Sequence, residues 1–147
     1  YREYYSTVGM FDCTPYNGVF ELIEKLRTKG FKILVATSKP ELYAKQILER
    51  KGFLHLFNFV GGADLSEQKR CEKIDVVNYV LKENNLVKKK NECLMIGDRK
   101  YDINGAHAAG LKALGILWGF GNREEFEEAN ADFILETPEQ VFEFLSN

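Results

Sequence analysis

Two aspartates that follow an apolar segment are the residues best suited to chemistry in this sequence. The segment Cys93–Ile96 is apolar throughout, Gly97-Asp98 comes directly after it, and Asp102 lies four residues further on. If the segment is a strand, Asp102 falls at the start of the next helix and can turn back toward Asp98. Two converging carboxylates suit a hard, oxygen-seeking cation such as Mg²⁺. The alternative is that Asp98 fills a turn and Asp102 only caps its helix.

Two hydroxyl side chains follow another apolar segment, Phe31–Thr37. Thr37 and Ser38 come at its end, where the N–H groups of a helix start are also available, and this combination suits a phosphate oxygen. The run Ser38-Lys39-Pro40-Glu41 also has the pattern of a capping box, so the alternative for Ser38 is a helix cap.

Lys73 opens a predicted helix that continues to Leu81. A lysine at such a place is usually a surface residue. A cation beside carboxylates is also what offsets charge when a phosphoryl group is transferred. Lys73 is therefore a candidate third component of a metal and phosphate site.

The elements that must position these residues alternate along the chain as strands and helices. The strands are continuous apolar runs, which is typical of a parallel sheet covered on both faces, and the fold class is therefore α/β. In an open parallel sheet, ligands bind beyond the carboxyl ends of the strands. Thr37 and Asp98 both fall at that edge.

Composition excludes several classes of function. The chain of 147 residues has 20 Lys and Arg against 22 Asp and Glu, and its one cationic run, Lys88–Lys90, is interpreted as a solvated turn, so no nucleic-acid partner is expected. Its 3 cysteines have unrelated spacings, which argues against a disulfide framework or a zinc site and favours a cytoplasmic protein. No apolar run approaches the roughly 18 residues of a membrane helix, so no membrane partner is expected.

Thr37 after a strand, Lys73 before a helix and the pair Asp98 and Asp102 together resemble three of the four motifs of the haloacid dehalogenase (HAD) superfamily. The flanking sequences resemble its phosphoglycolate phosphatase-like branch; these are ATSKP, KIDVV, MIGDR and GILWGFG. The resemblance implies a Rossmann-like three-layer sandwich with a mostly parallel sheet. It also implies a Mg²⁺-dependent phosphatase that acts on a small phosphorylated metabolite through an aspartyl-phosphate.

The same resemblance implies a role for each candidate residue. Thr37 would be a catalytic residue that hydrogen-bonds the transferring phosphoryl group, helped by the backbone at Ser38. Lys73, also catalytic, would hold that group and the nucleophile in place. Asp98 would bind Mg²⁺ directly, and Asp102 would support the metal site, through water or through Lys73.

The family's first motif, Asp-x-Asp-x-Thr/Val after a strand, is absent from this sequence. The nearest segment, Phe11-Asp12-Cys13-Thr14, has a threonine at the second acidic position, and no apolar strand is predicted before it. Residues 1–16 instead resemble the end of a helical cap with its return linker, and residues 17–147 the carboxyl-terminal part of the core. We therefore expect a sheet without its central nucleophile strand, a partner fragment upstream in the same protein that carries the nucleophile, and no activity in this chain alone.

Two alternative functions remain open on the sequence, and a third lacks a residue that it needs. A nucleotidase or pyrophosphatase of the same superfamily would use the same motifs. A non-catalytic domain would hold phosphate or metal at this edge without turnover. A response-regulator-like domain would need a phospho-acceptor aspartate after an early strand, which the sequence lacks.

Overall fold

The computed structural model describes residues 8–11, 18–66 and 69–147 of the chain. Strands and helices alternate in it as the apolar runs predict. The strands are β1 (Val8–Phe11), β2 (Lys32–Pro40), β3 (Phe59–Ala63), β4 (Cys93–Gly97), β5 (Lys112–Ile116) and β6 (Phe133–Leu135). The helices are α1 (Val19–Thr28), α2 (Glu41–Arg50), α3 (Lys73–Glu83), α4 (Lys100–Ala108), α5 (Arg123–Glu128) and α6 (Pro138–Ser146), with short 3₁₀ turns at Leu54–Leu56 and Lys90–Glu92.

The described strands form one sheet in the order β3-β2-β1-β4-β5-β6, and every neighbouring pair is parallel. All carboxyl ends of the strands therefore lie at the same edge. The predicted α/β class with a parallel sheet is confirmed.

Helices cover both faces of this sheet and make it the middle of three layers. Along β2, Ile33 and Val35 belong to the core beneath α1, α2 and α6, whereas Leu34 and Ala36 belong to the core beneath α3, α4 and α5. Successive side chains of a strand point to opposite faces, so a strand covered on both sides must be apolar at every position. This is why the strands read as continuous apolar runs.

The centre of the sheet differs from the expectation that it would be empty. Val8–Phe11 lies between β2 and β4, with Phe11 level with Val35 on one side and Ile96 on the other. Without it, the inner edges of β2 and β4 would leave buried N–H and C=O groups unpaired, which is costly. These four residues fall within the segment 1–16 that is expected to be the end of a helical cap and its return linker; the rest of that segment, including Asp12, Cys13 and Thr14, lies outside the described residues.

The end of β2 also differs from the prediction. The strand continues through Ser38 to Pro40, which pairs with Ala63 after a shift in register, and α2 begins only at Glu41. Pro40 occupies the N-cap position and no side chain caps the helix there, so the predicted capping box at Ser38 is wrong. The last helix is capped by a side chain, since Thr137 accepts a hydrogen bond from the Gln140 N–H.

None of the helices in the described part of the chain has the length and apolar character that a bilayer crossing requires.

Candidate functional site

Four of the five polar residues that the sequence singles out at the sheet edge are buried. Thr37, Lys73, Asp98 and Asp102 are 1–7% exposed, and no other polar or charged residue in the described ranges is as inaccessible. Burying charged groups costs free energy unless they are paired. A fold that places all four at one edge of its sheet must therefore provide partners for them there.

Lys73 is paired with groups from two other elements. Its Nζ lies 2.8 Å from Asp102 Oδ1 and donates a hydrogen bond of 3.1 Å to the Ala36 carbonyl of β2. Gly105 of α4 makes room for the Lys73 side chain, because a Cβ at that position would overlap with its methylene carbons. The ammonium is thus held between the end of β2 and the start of α4, across the end of the central strand.

Asp102 uses both carboxylate oxygens inside the protein. Oδ1 contacts Lys73, and Oδ2 accepts hydrogen bonds of 3.1 Å from the N–H groups of Asp98 and Arg99. A side chain at Gly97 would overlap with Asp102, so this glycine lets the helix start approach the strand end. Asp102 therefore fixes both the Lys73 ammonium and the turn that presents Asp98.

Asp98 is enclosed by the loop after β5. Its Oδ2 accepts a hydrogen bond of 3.1 Å from Phe120 N–H, and its carbonyl accepts one of 2.7 Å from Gly121 N–H. A Cβ at Gly119 would lie 2.6 Å from Asp98 Oδ2. Gly119 and Gly121 have no assigned role on sequence grounds alone, although their close spacing after an apolar strand is a signal of such a close approach.

Thr37 and Ser38 differ in their surroundings. The Thr37 side chain is buried, and its Oγ1 accepts a hydrogen bond of 3.2 Å from Lys39 N–H. Ser38 is exposed and lines an open groove of about 420 Å³ together with Lys73 and Tyr101. Ser38 therefore borders the same region as Lys73 without being part of the buried set.

Glu125 of α5 is a neighbour of the site that the sequence analysis missed. Its Oε2 accepts hydrogen bonds from Arg99 Nε at 3.0 Å and from Lys100 N–H at 2.7 Å. Burial alone would raise the pKa of the Glu125 carboxyl, but the bonds from Arg99 and Lys100 outweigh it and hold that pKa below its ordinary value. Glu125 thus holds the start of α4 from the outside.

The donor chemistry at this edge fits a magnesium ion with Asp98 as its ligand. Mg²⁺ prefers oxygen ligands and is commonly bound by one or two carboxylates, with water and phosphate oxygens completing the shell. Asp102, whose oxygens contact Lys73 and the backbone, fits a supporting role better than a ligand role. Within the described ranges, no group of three or more His, Cys, Asp or Glu side chains gathers to hold a metal.

Several known proteins are similar to this chain. The family model described as haloacid dehalogenase-like hydrolase matches residues 1–116. A 5′-nucleotidase of Pseudomonas aeruginosa is 34% identical over 125 residues, covering 85% of this chain and 55% of that protein. A phosphoglycolate phosphatase of Vibrio parahaemolyticus is 28% identical over 146 residues, covering 99% of this chain and 63% of that protein.

Solved structures are similar to this chain as well. The crystal structure of a predicted phosphatase from Clostridium acetobutylicum superposes with a TM-score of 0.84 at 35% identity, covering 88% of this chain and 59% of that one. This chain thus spans 55–63% of the length of the relatives named here. A family match over most of the chain and a shared fold lead to one conclusion: the chain belongs to the haloacid dehalogenase-like hydrolases.

Proposed function

We propose that this chain supplies the phosphoryl-binding and metal-binding side chains of a Mg²⁺-dependent phosphatase that hydrolyses a small phosphorylated metabolite. One observation carries the proposal: the polar residues most deeply buried among the described ones converge at the carboxyl edge of the sheet. A buried ion pair rarely repays its desolvation cost through stability alone. Lys73 and Asp102 beside Asp98 are therefore better explained by function.

Each side chain has a distinct task in this proposal. The Thr37 hydroxyl donates a hydrogen bond to a phosphoryl oxygen, and the Lys73 ammonium offsets negative charge as the phosphorus–oxygen bond breaks. Asp102 orients Lys73, and Ser38 contributes its backbone N–H to the phosphoryl group. Asp98 would hold Mg²⁺, which when bound neutralises charge on the phosphate oxygens.

The nucleophile belongs to a segment outside this sequence, because the sequence contains no Asp-x-Asp motif. A carboxylate of that segment attacks phosphorus, the bond to the leaving oxygen breaks, and the leaving group takes up a proton. Water then attacks the aspartyl-phosphate, which releases inorganic phosphate and restores the carboxylate. The proposal includes a reducing, cytoplasmic location, which is supported by 3 cysteines whose spacings fit no disulfide framework.

A 5′-nucleotidase is the second candidate, and it is favoured by the 34% identity to the Pseudomonas aeruginosa protein of that name. Nucleoside monophosphates would then be the substrates. The same four side chains would serve both reactions, since both cleave a phosphomonoester.

The test uses the complete reading frame that encodes this chain. Phosphate release from 2-phosphoglycolate, nucleoside monophosphates and p-nitrophenyl phosphate is measured with and without Mg²⁺, for the natural protein and for Asp98→Asn. We expect Mg²⁺-dependent release that falls about 100-fold or more in Asp98→Asn, the size of loss seen when one strong electrostatic contact to a transition state is removed. Glu49→Gln, which removes an exposed carboxylate at the end of α2, serves as the control and keeps its activity.

A natural protein that binds Mg²⁺ and phosphate but releases no phosphate from any substrate would contradict the proposal. The edge of the sheet would then be a binding site without turnover. A near-normal rate in Asp98→Asn would remove Asp98 from the site.

A further inference from the structure

Lys73 reaches its partners only if the start of α3 is held in one place relative to the sheet. The helix begins directly after the loop 64–72, of which residues 67 and 68 are not described. The described part of this loop contains turns and bends but no helix or strand. Side-chain contacts therefore hold the described part of this loop, and they form two groups.

The first group surrounds Asp64 at the beginning of the loop. Its Oδ1 accepts hydrogen bonds from the N–H groups of Lys69, at 3.2 Å, and Arg70, at 2.9 Å, and its Oδ2 lies 2.5 Å from Ser66 Oγ. These bonds join residues 66, 69 and 70 to the beginning of the loop. They do not connect it to the helix that follows.

The second group surrounds Arg70 and makes that connection. Arg70 Nε donates a hydrogen bond of 3.0 Å to the Gly62 carbonyl of β3, and Nη2 lies 3.9 Å from Glu41 Oε1 at the start of α2. The guanidinium carbon stacks over the Tyr79 ring of α3, 3.9 Å from its centroid. We call Glu41, Gly62, Arg70 and Tyr79 the Arg70 cluster.

Gly62 is held on both of its backbone polar groups within this cluster. Its carbonyl accepts from Arg70, and its N–H donates to Glu41 Oε1 at 3.2 Å. A Cβ at Gly62 would come 2.8 Å from the Glu41 Cα, so a side chain there would push α2 away from β3. One guanidinium thus joins the loop to β3, α2 and α3.

We propose that Arg70 is a positioning residue that sets the approach of Lys73 to the site. Arg70 lies three residues before Lys73 and stacks on Tyr79 of the same helix, so it holds the loop and the first turns of α3 as one unit. The catalytic meaning of this role rests on the function proposed above. The role itself is a statement about where the Lys73 ammonium lies, and it can be measured without activity.

The first experiment reads the position of Lys73 by NMR in the complete protein. Lysines are labelled with ¹³C at Cε, and the Lys73 signal is identified by its loss in Lys73→Met. We expect Arg70→Met to shift or broaden this signal, because the guanidinium contacts are lost while the aliphatic stem remains. Arg50→Met, which removes an exposed arginine at the end of α2, leaves the signal unchanged.

An unchanged Lys73 signal in folded Arg70→Met would overturn the proposal. If that variant does not fold, Arg70→Lys replaces it, since it keeps the positive charge and loses the Nε hydrogen bond to Gly62. The same shift is then expected, and its absence counts against the proposal in the same way.

The second experiment is a kinetic double-mutant cycle in the same protein, well below the unfolding temperature. We expect Arg70→Met to lower kcat about 10- to 100-fold, with KM within about twofold, as for a misplaced catalytic group. In a Lys73→Met background the same substitution has little further effect, because the residue it positions is gone. A full additional loss in that background would show that Arg70 acts independently of Lys73 and overturn the proposal. If the natural protein lacks phosphatase activity, the proposed function fails and the NMR result alone decides the role of Arg70.

Discussion

At the scale of single residues, the Lys73–Asp102 ion pair is where burying charge costs free energy through desolvation. Both side chains are almost fully buried, and the distance between Nζ and Oδ1 is 2.8 Å. Removing one member of a buried pair leaves the other charge without compensation, which costs far more than the net contribution of the intact pair. The pair is therefore sensitive to any single substitution.

We expect Asp102→Asn to lower the free energy of unfolding by about 3–5 kcal/mol, the range found for broken buried pairs. Urea denaturation of the complete protein measures it. Lys45→Met is the control: it breaks an exposed pair with Glu41 at 3.3 Å, and such pairs contribute at most about 1 kcal/mol. An effect of Asp102→Asn no larger than that of Lys45→Met would show that the buried pair is not a stability determinant.

At the scale of elements, Asp132 joins the end of α4 to the start of β5. Its Oδ2 lies 2.8 Å from His107 Nε2 and accepts a hydrogen bond of 2.8 Å from Ala113 N–H. Burial raises the pKa of the Asp132 carboxyl, but the bonds from His107 and Ala113 outweigh it, so this pKa lies below its ordinary value. Nothing in the sequence marks this pair, because the two residues lie 25 positions apart.

A lowered pKa in the folded state has a defined effect on stability. The ionised Asp132 stabilises the fold at pH values above its unfolded pKa, and this contribution is lost as pH falls through the folded pKa. We expect Asp132→Asn to be less stable than the natural protein at pH 7 and the difference to shrink toward pH 3. Urea denaturation across this range checks it, with Glu128→Gln as an exposed control. A pH-independent difference would exclude the ionised carboxylate as the cause.

The sequence predicts elements well where burial on both faces leaves an apolar run, as in β2 and β4. It fails at β1, because Val8–Phe11 includes a glycine, is short, and gains its stability from pairing with two neighbours. The residues of the site likewise divide into those that the sequence predicts and those that it does not. Asp98 and Asp102 stand at the end of a recognisable strand, whereas the partners Glu125 and Gly119 come from other segments of the chain that only folding brings near.

At the scale of the whole molecule, the cysteines report on the integrity of the sheet. Cys93 begins β4, which pairs with both β1 and β5, and the side chain is buried, whereas Cys71 is exposed in the loop before α3. Burial, with a smaller contribution from Glu92, raises the pKa of the Cys93 thiol to about 12. Cys93 is therefore inaccessible and protonated at neutral pH.

We expect a thiol reagent such as 5,5′-dithiobis(2-nitrobenzoic acid) at pH 8 to modify Cys71 rapidly. Cys93 should react only through opening of the sheet, because its side chain is buried and its raised pKa leaves little of the reactive thiolate in the folded protein. Absorbance kinetics in a Cys13→Ser background measure both rates, and Cys71→Ser assigns them. Comparable rates for the two cysteines in the native protein would contradict the placement of β4 inside the sheet.

The bridge made by Lys73 also bears on when the site forms during folding. Its hydrogen bond to Ala36 joins residues 37 positions apart, and its ion pair reaches forward to α4. Contacts between distant parts of a chain form after local ones, since loop closure must come first. During synthesis the ammonium remains without its carboxylate until Asp102 has been made. The paired arrangement of Lys73 therefore cannot form before α4 has been made, so that shorter nascent chains do not yet contain it.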